Sequence, residues 1–205
     1  MIKQYAFYVD SSKCSGCKTC QGACIDKNNL ERGVLWRRVY EIIDGNWIKE
    51  GNAWKHQLKA YNVSLSCNHC EDPVCVKNCP TTAMYKSTSG IVLVDESKCV
   101  GCKYCEWSCP YGAPKYDEKK GVMSKCNLCI DFIEEGKQPA CVASCPMRVL
   151  DFGELEEIRK KYGNISEVYP LPPEKITNPS LVIKPHKDAI ETGAMKAVIN
   201  NKEEV

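Results

Sequence analysis

The chain has 205 residues, 43% hydrophobic and 26% charged, an ordinary globular composition that excludes long-range disorder and allows one or two domains. A formal net charge of +2, with no large basic block, excludes nucleic-acid binding by bulk electrostatics. No apolar window reaches the ~18 residues of a bilayer-spanning helix, so no direct membrane span is expected.

The opening residues, MIKQYAFYVDSSKC, hold no apolar h-region and no twin-arginine pair, which predicts a chain folded in the cytosol without a cleavable signal. Sixteen cysteines in such a chain point to metal binding rather than disulfides. They fall into four groups of four. Cys14, Cys17, Cys20 and Cys24 come first, spaced C-x2-C-x2-C-x3-C. An insertion follows in which residues 34–42 are β-branched and aromatic, Asp44-Gly45 signals a turn, and residues 46–48 and 60–65 supply further strands; it predicts a small antiparallel sheet. The second group is Cys67, Cys70, Cys75 and Cys79, spaced C-x2-C-x4-C-x3-C.

A short strand is expected over residues 90–95, ahead of the third group, Cys99, Cys102, Cys105 and Cys109, which repeats the spacing of the first. Cys126, Cys129, Cys141 and Cys145 close the series as C-x2-C-x11-C-x3-C. Pro80, Pro110 and Pro146 follow the last cysteine of their groups, whereas Ile25 stands there in the first. Residues 155–162 predict a short helix closed by Gly163. Beyond it, Pro170, Pro172, Pro173, Pro179 and Pro185 suit an extended stretch. Residues 164–205 are expected to lie along this chain or a partner, with a disordered tail as the alternative.

Three thiolates two residues apart can ligate neighbouring corners of one iron–sulfur cube, and a fourth, beyond a turn and before proline, ligates the other cube of a two-cluster module. Structural zinc is the alternative, although it favours paired rather than tripled cysteines. The repeats predict an α+β chain of two nested ferredoxin-like modules. Residues 64–115 form a contiguous two-cluster module, and residues 1–30 and 116–153 the halves of a split one. Residues 31–63 are the β insertion and residues 154–205 the helix and tail.

Further residues carry a resemblance. Tyr8-Val9-Asp10, Lys13-Cys14, the run Gly33-Val34-Leu35-Trp36-Arg37-Arg38-Val39-Tyr40-Glu41, Cys67-Asn68-His69-Cys70, Cys109-Pro110-Tyr111-Gly112-Ala113-Pro114 and Asn178-Pro179-Ser180-Leu181 make the chain similar to the iron–sulfur B subunits of dimethyl sulfoxide reductases. The wider group is the four-cluster subunits that serve molybdopterin oxidoreductases. The resemblance implies four 4Fe–4S clusters. Cys14, Cys17 and Cys20 would share one with Cys145; Cys126, Cys129 and Cys141 would take Cys24. Cys67, Cys70 and Cys75 would take Cys109, and Cys99, Cys102 and Cys105 would take Cys79. Relatives in nitrate reductases replace the cysteine matching Cys102 with tryptophan and carry a 3Fe–4S centre; this chain keeps the cysteine. The implied role is non-catalytic electron transfer between a quinol-oxidising integral membrane anchor and a molybdopterin catalytic subunit, peripheral to the membrane on a side the resemblance leaves open. A related wire for polysulfide, selenate or formate, or a free polyferredoxin, is the alternative.

No other catalytic set stands out. His69 is expected to pack or hydrogen-bond, with an N–H to sulfur as the rarer possibility. His56 and His186 show no partner in the sequence. Trp36, Arg37 and Arg38 suggest a partner surface, with a half-buried Trp36 equally compatible with strand alternation.

Overall fold

Four consecutive residues of the first strand, Ala6 to Val9, are all buried, which requires a strand covered on both faces and paired on both edges. In the computed structural model, which describes residues 3–192 and 197–205, β1 (Tyr5–Asp10) is the centre of a three-stranded sheet. Residues 1–2 and 193–196, within the segments expected as module half and tail, lie outside the described residues. The chain continues through α1 (Thr19–Asn28) into the insertion, built from β2 (Arg38–Asp44), β3 (Trp47–Glu50), β4 (Ala53–His56) and β5 (Lys59–Leu65). β2 and β5 pair antiparallel along their whole length, Arg38 opposite Leu65 and Asp44 opposite Lys59. β3 and β4 form an exposed hairpin.

Two departures from expectation have plain causes. The strand expected from residue 34 starts at Arg38, because β5 ends at Leu65 and the following Ser66 and Cys67 leave the ladder for a cysteine loop. Sequence reasoning also missed β4. Its signal was Gly51, at φ 62°, which reverses the backbone and lets Ala53–His56 pair with β3.

α2 (Val74–Lys77), the hairpin of β6 (Met84–Lys86) and β7 (Val92–Val94), α3 (Tyr104–Ser108), and the hairpin of β8 (Lys115–Asp117) and β9 (Val122–Ser124) follow. α4 (Ile130–Glu134), α5 (Ala140–Ala143), β10 (Leu150–Glu154) and α6 (Leu155–Tyr162) complete the cysteine-bearing part. α1 packs on α5 and α2 on α3, so groups distant in sequence face one another across two helix pairs. β10 runs antiparallel to β1. α6 spans the residues expected of it and ends at Gly163, at φ 94°. It covers the β1 sheet through Ile158 and through Tyr162, whose ring stacks on Tyr8 at 3.6 Å.

The described part of the tail is not disordered. β11 (Leu181–Lys184) lies parallel to β1, with Leu181, Val182 and Ile183 buried. β12 (Val198–Ile199) pairs with β2. Asn201 then clamps the strand it faces: its Oδ1 accepts from the Glu41 N–H at 2.9 Å and its Nδ2 donates to the Val39 carbonyl at 2.8 Å. Asn201→Ala leaves both backbone groups short of a partner and is expected to cost about 1–3 kcal/mol, read as a lower thermal midpoint of the cluster-loaded chain. No helix of the described residues is long and apolar enough to cross a membrane.

Candidate metal centres

All four groups bend their loop the same way. The residue before the second cysteine is left-handed in each: Gly16 at φ 71°, His69 at 43°, Gly101 at 65° and Leu128 at 62°. That reversal turns successive thiols into one hollow. Glycine takes the conformation without strain, and at Gly101 a Cβ would run into the Gly121 carbonyl. His69 and Leu128 accept a strain of ~1–2 kcal/mol that burial holds in place, at 1% and 0% exposure. His69 is further tied down: its Nδ1 accepts the Val92 N–H at 3.1 Å, and its carbonyl accepts from Gln4 and Ser180. Burial first, then the nearby Lys125, keeps its pKa well below that of an ordinary histidine. Its Nε2 has no partner among the described residues, so the histidine serves as a loop anchor.

A second reversal lies three residues past the last cysteine in groups two, three and four, at Thr82, Gly112 and Arg148. It lets the loop fold over, so that the Met84 and Ala113 N–H groups donate to Cys79 and Cys109 Sγ at 3.3 and 3.5 Å. Group one lacks both the reversal and the proline for one reason. Cys24 lies inside α1, where residue 25 must supply the helical N–H that proline lacks.

The structure draws the sixteen cysteines, all free thiols, into four sets that cross the groups. Cys14, Cys17, Cys20 and Cys145 line one narrow cleft. Cys67, Cys70, Cys75 and Cys109 line another. Cys105 has Cys79, Cys99 and Cys102 as its near neighbours. Cys24 has Cys129 and Cys141, and Cys126 has Cys24 and Cys141. Shared packing also joins the sets into one series: Cys20, Cys141, Cys126 and Cys67 lie in one buried cluster, with Cys20 near Cys141 and Cys126 near Cys67, and Cys75 and Cys105 share a second. The series runs from Cys17 to Cys102, the two exposed cysteines.

The donor chemistry fits iron–sulfur clusters. Burial pushes the thiols of Cys24, Cys70, Cys75 and Cys105 up to about 12, so free protons stay on until a metal displaces them. Donors already aim at several sulfurs: Met123 N–H to Cys99 at 3.3 Å, Leu128 N–H to Cys126 at 3.4 Å and Thr19 Oγ1 to Cys17 at 3.3 Å. The Thr19 hydroxyl lowers the Cys17 pKa. Burial alone would raise Cys79, but the Met84 N–H and Thr81 hydroxyl hold it below the ordinary thiol value. Such N–H···S bonds also set the potential of a bound cluster.

The suggested partner surface is overturned in part. Arg37 and Arg38 are buried, at 1% and 5% exposure. Arg38 donates to the Tyr111 carbonyl at 2.7 Å, and Arg37 points among the cysteines. Trp36 is half-buried, its Nε1 donating to Ser124 Oγ. The exposed aromatics lie elsewhere, at Trp47 and Trp54 of the β3–β4 hairpin, at Tyr85 of β6 and at Tyr104 and Trp107 beside Cys102. Sequence reasoning also missed Lys125, which is buried with its ammonium on the Val92 and Cys126 carbonyls. His56 meets the ring of Trp47, and His186 stacks on Tyr61.

Residues 58–155 match the family model of the 4Fe-4S dicluster domain. Over its whole length, and over the whole of each relative, the protein is 50% identical to the B chain of the anaerobic dimethyl sulfoxide reductase of Escherichia coli (strain K12) and 47% identical to that of Haemophilus influenzae. It is 38% identical to the thiosulfate reductase electron transfer subunit of Salmonella typhi, over 82% of its own length and 86% of the relative. With its cysteines gathered in fours, this protein belongs to the family of anaerobic dimethyl sulfoxide reductase B chains, and is an iron–sulfur electron-transfer subunit rather than a catalytic one.

Proposed function

We propose that the four sets of cysteines are the ligands of four 4Fe–4S clusters. Cys14, Cys17, Cys20 and Cys145 hold the first, and Cys24, Cys126, Cys129 and Cys141 the second. Cys67, Cys70, Cys75 and Cys109 hold the third, and Cys79, Cys99, Cys102 and Cys105 the fourth. On this reading residues 64–115 are one two-cluster module, and residues 1–30 and 116–153 the split second one. The observation that carries it is the crossing of the groups: in each set three thiols come from one group and the fourth from another. A 4Fe–4S cluster supplies one-electron transfer without bond-breaking.

The protein's own residues do the rest. Backbone N–H groups and hydroxyls steady the sulfurs, and burial is least at the two ends, Cys17 and Cys102. Those ends suit exchange with two partners, an integral membrane anchor that oxidises quinol and a molybdopterin catalytic subunit of the dimethyl sulfoxide type. Anaerobically prepared full-length protein should contain about 16 iron and 16 acid-labile sulfide, four of each per cluster. Twelve iron or fewer after full reconstitution would sink the assignment. Capture on the tagged chain should bring down a molybdopterin subunit, whereas a free polyferredoxin would bring down none.

Charge supplies an independent check. Each oxidised cluster with its four thiolates contributes −2, which takes the chain from +2 to about −6. The loaded chain should focus well to the acidic side of the apo form, whose sequence pI is about 7.8. Coincident isoelectric points would contradict four clusters.

A further inference from the structure

Arg37 is among the largest side chains in the molecule with almost no exposure. It sits just ahead of β2 and points inward. Its Nη1 donates to the Ser64 carbonyl and hydroxyl at 3.3 and 3.1 Å, and its Nη2 to the Ser66 hydroxyl at 3.1 Å. The guanidinium lies 4.6 Å from the centre of the Phe7 ring. Every one of these partners is neutral. Nε has no partner, and no carboxylate pairs with Arg37 among the described residues. An arginine cannot shed its charge, and a buried charge without a counter-ion costs several kcal/mol.

The cysteines become its anions once metal displaces their protons. Cys141, Cys20, Cys126 and Cys24, the cysteines close enough to bear on the Arg37 charge, come from two different sets. Ser64 ties the groups together physically, since the hydroxyl that accepts from Arg37 also lies 3.2 Å from Cys20 Sγ.

We propose that Arg37 is the shared counter-charge of the first and second clusters, and that it raises the reduction potentials of both. This rests on the ligand sets proposed above. Each cluster with its thiolates passes from −2 to −3 on taking up one electron, with no proton. Two such centres side by side repel one another's electrons. A fixed positive charge between them favours reduction of each and lets both hold an electron at once, so Arg37 is a positioning residue for electrons rather than a ligand.

The test is a mediated redox titration of the full chain in its holo-complex, followed by electron paramagnetic resonance, with dithionite as reductant and iron counted in parallel. Arg37→Met and Arg37→Gln should keep the full iron content and lower two of the four midpoint potentials by at least tenfold in the reduction equilibrium, or about 59 mV for a one-electron couple. The other two should stay in place. Arg37→Lys, which keeps the charge, should recover more than half of the shift.

If both neutral variants lose two clusters while Arg37→Lys keeps them, the counter-charge is equally supported. Full iron with four unmoved potentials would overturn the proposal, as would all four moving together or all three variants losing iron. A parent protein short of sixteen iron would instead count against the ligand sets themselves.

Discussion

Cys102→Ser is expected to remove about one iron per chain and leave the other fifteen, converting the fourth cluster to a 3Fe–4S centre rather than erasing it. Cys102 is exposed, so the corner it holds is the one water and chelators reach first. The other three corners keep their support. Cys79 retains its bonds from Met84 and Thr81, Cys99 retains the Met123 N–H, and Cys105 is buried on α3. Stability should change by less than ~1 kcal/mol, because little is buried at an exposed position. The converted centre is paramagnetic when oxidised, where the parent's clusters are silent, so one oxidised spectrum decides. Its higher potential should trap electrons and slow transfer to the catalytic partner by at least tenfold. Loss of four iron would overturn the conversion, and full iron with a silent oxidised spectrum would remove Cys102 from this set.

Truncation after Gly163 should remove most of the stability. β11 buries Leu181, Val182 and Ile183, and each such side chain contributes about 1.5–3 kcal/mol against a net stability of about 5–15 kcal/mol. Without β11, β1 becomes an open edge. The cut also removes Thr177, which lines the cleft of Cys67, Cys70, Cys75 and Cys109 and meets the Tyr111 hydroxyl at 2.9 Å. That cluster should therefore be the first lost in air. Val182→Asp, which sets a bare carboxylate at a position of 0% exposure, should cost more than ~4 kcal/mol without shortening the chain. Parent-like thermal midpoints and iron retention in both variants would show that the tail merely adheres.

The cysteine spacing made the metal chemistry legible, because ligands of one cluster must lie close in a tight loop and such loops leave a short-range mark. Gly163 was legible as a helix stop, because glycine past a last turn takes backbone that other residues avoid. Which fourth cysteine completes which set was not in the spacing; it depends on α1 meeting α5 and α2 meeting α3, which are long-range events, and the family resemblance supplied it. His69 and Leu128 hid their left-handed turns because an L-residue takes that conformation only when packing compels it. Arg37 misled for a different reason. Arginine is mostly exposed, and nothing local to Trp36-Arg37-Arg38 announces that the counter-ions lie in four distant cysteines. The proline-rich tail read as adhesive or disordered because its partner strand, β1, lies at the far end of the sequence.

That last pairing bears on how the molecule is made. The Ser11 hydroxyl donates to the carbonyl of Lys184, 173 residues away, and Cys14, Cys17 and Cys20 reach their fourth partner only at Cys145. During synthesis at about 5–20 residues per second, the first thiols emerge from the ribosome roughly 8–34 s before the strand that seals their sheet. Through that interval the earliest cysteines stand on a strand with one edge still open. Arrival of β11 ends that interval, so the strand that completes the sheet also fixes the base from which the first cysteine loop springs.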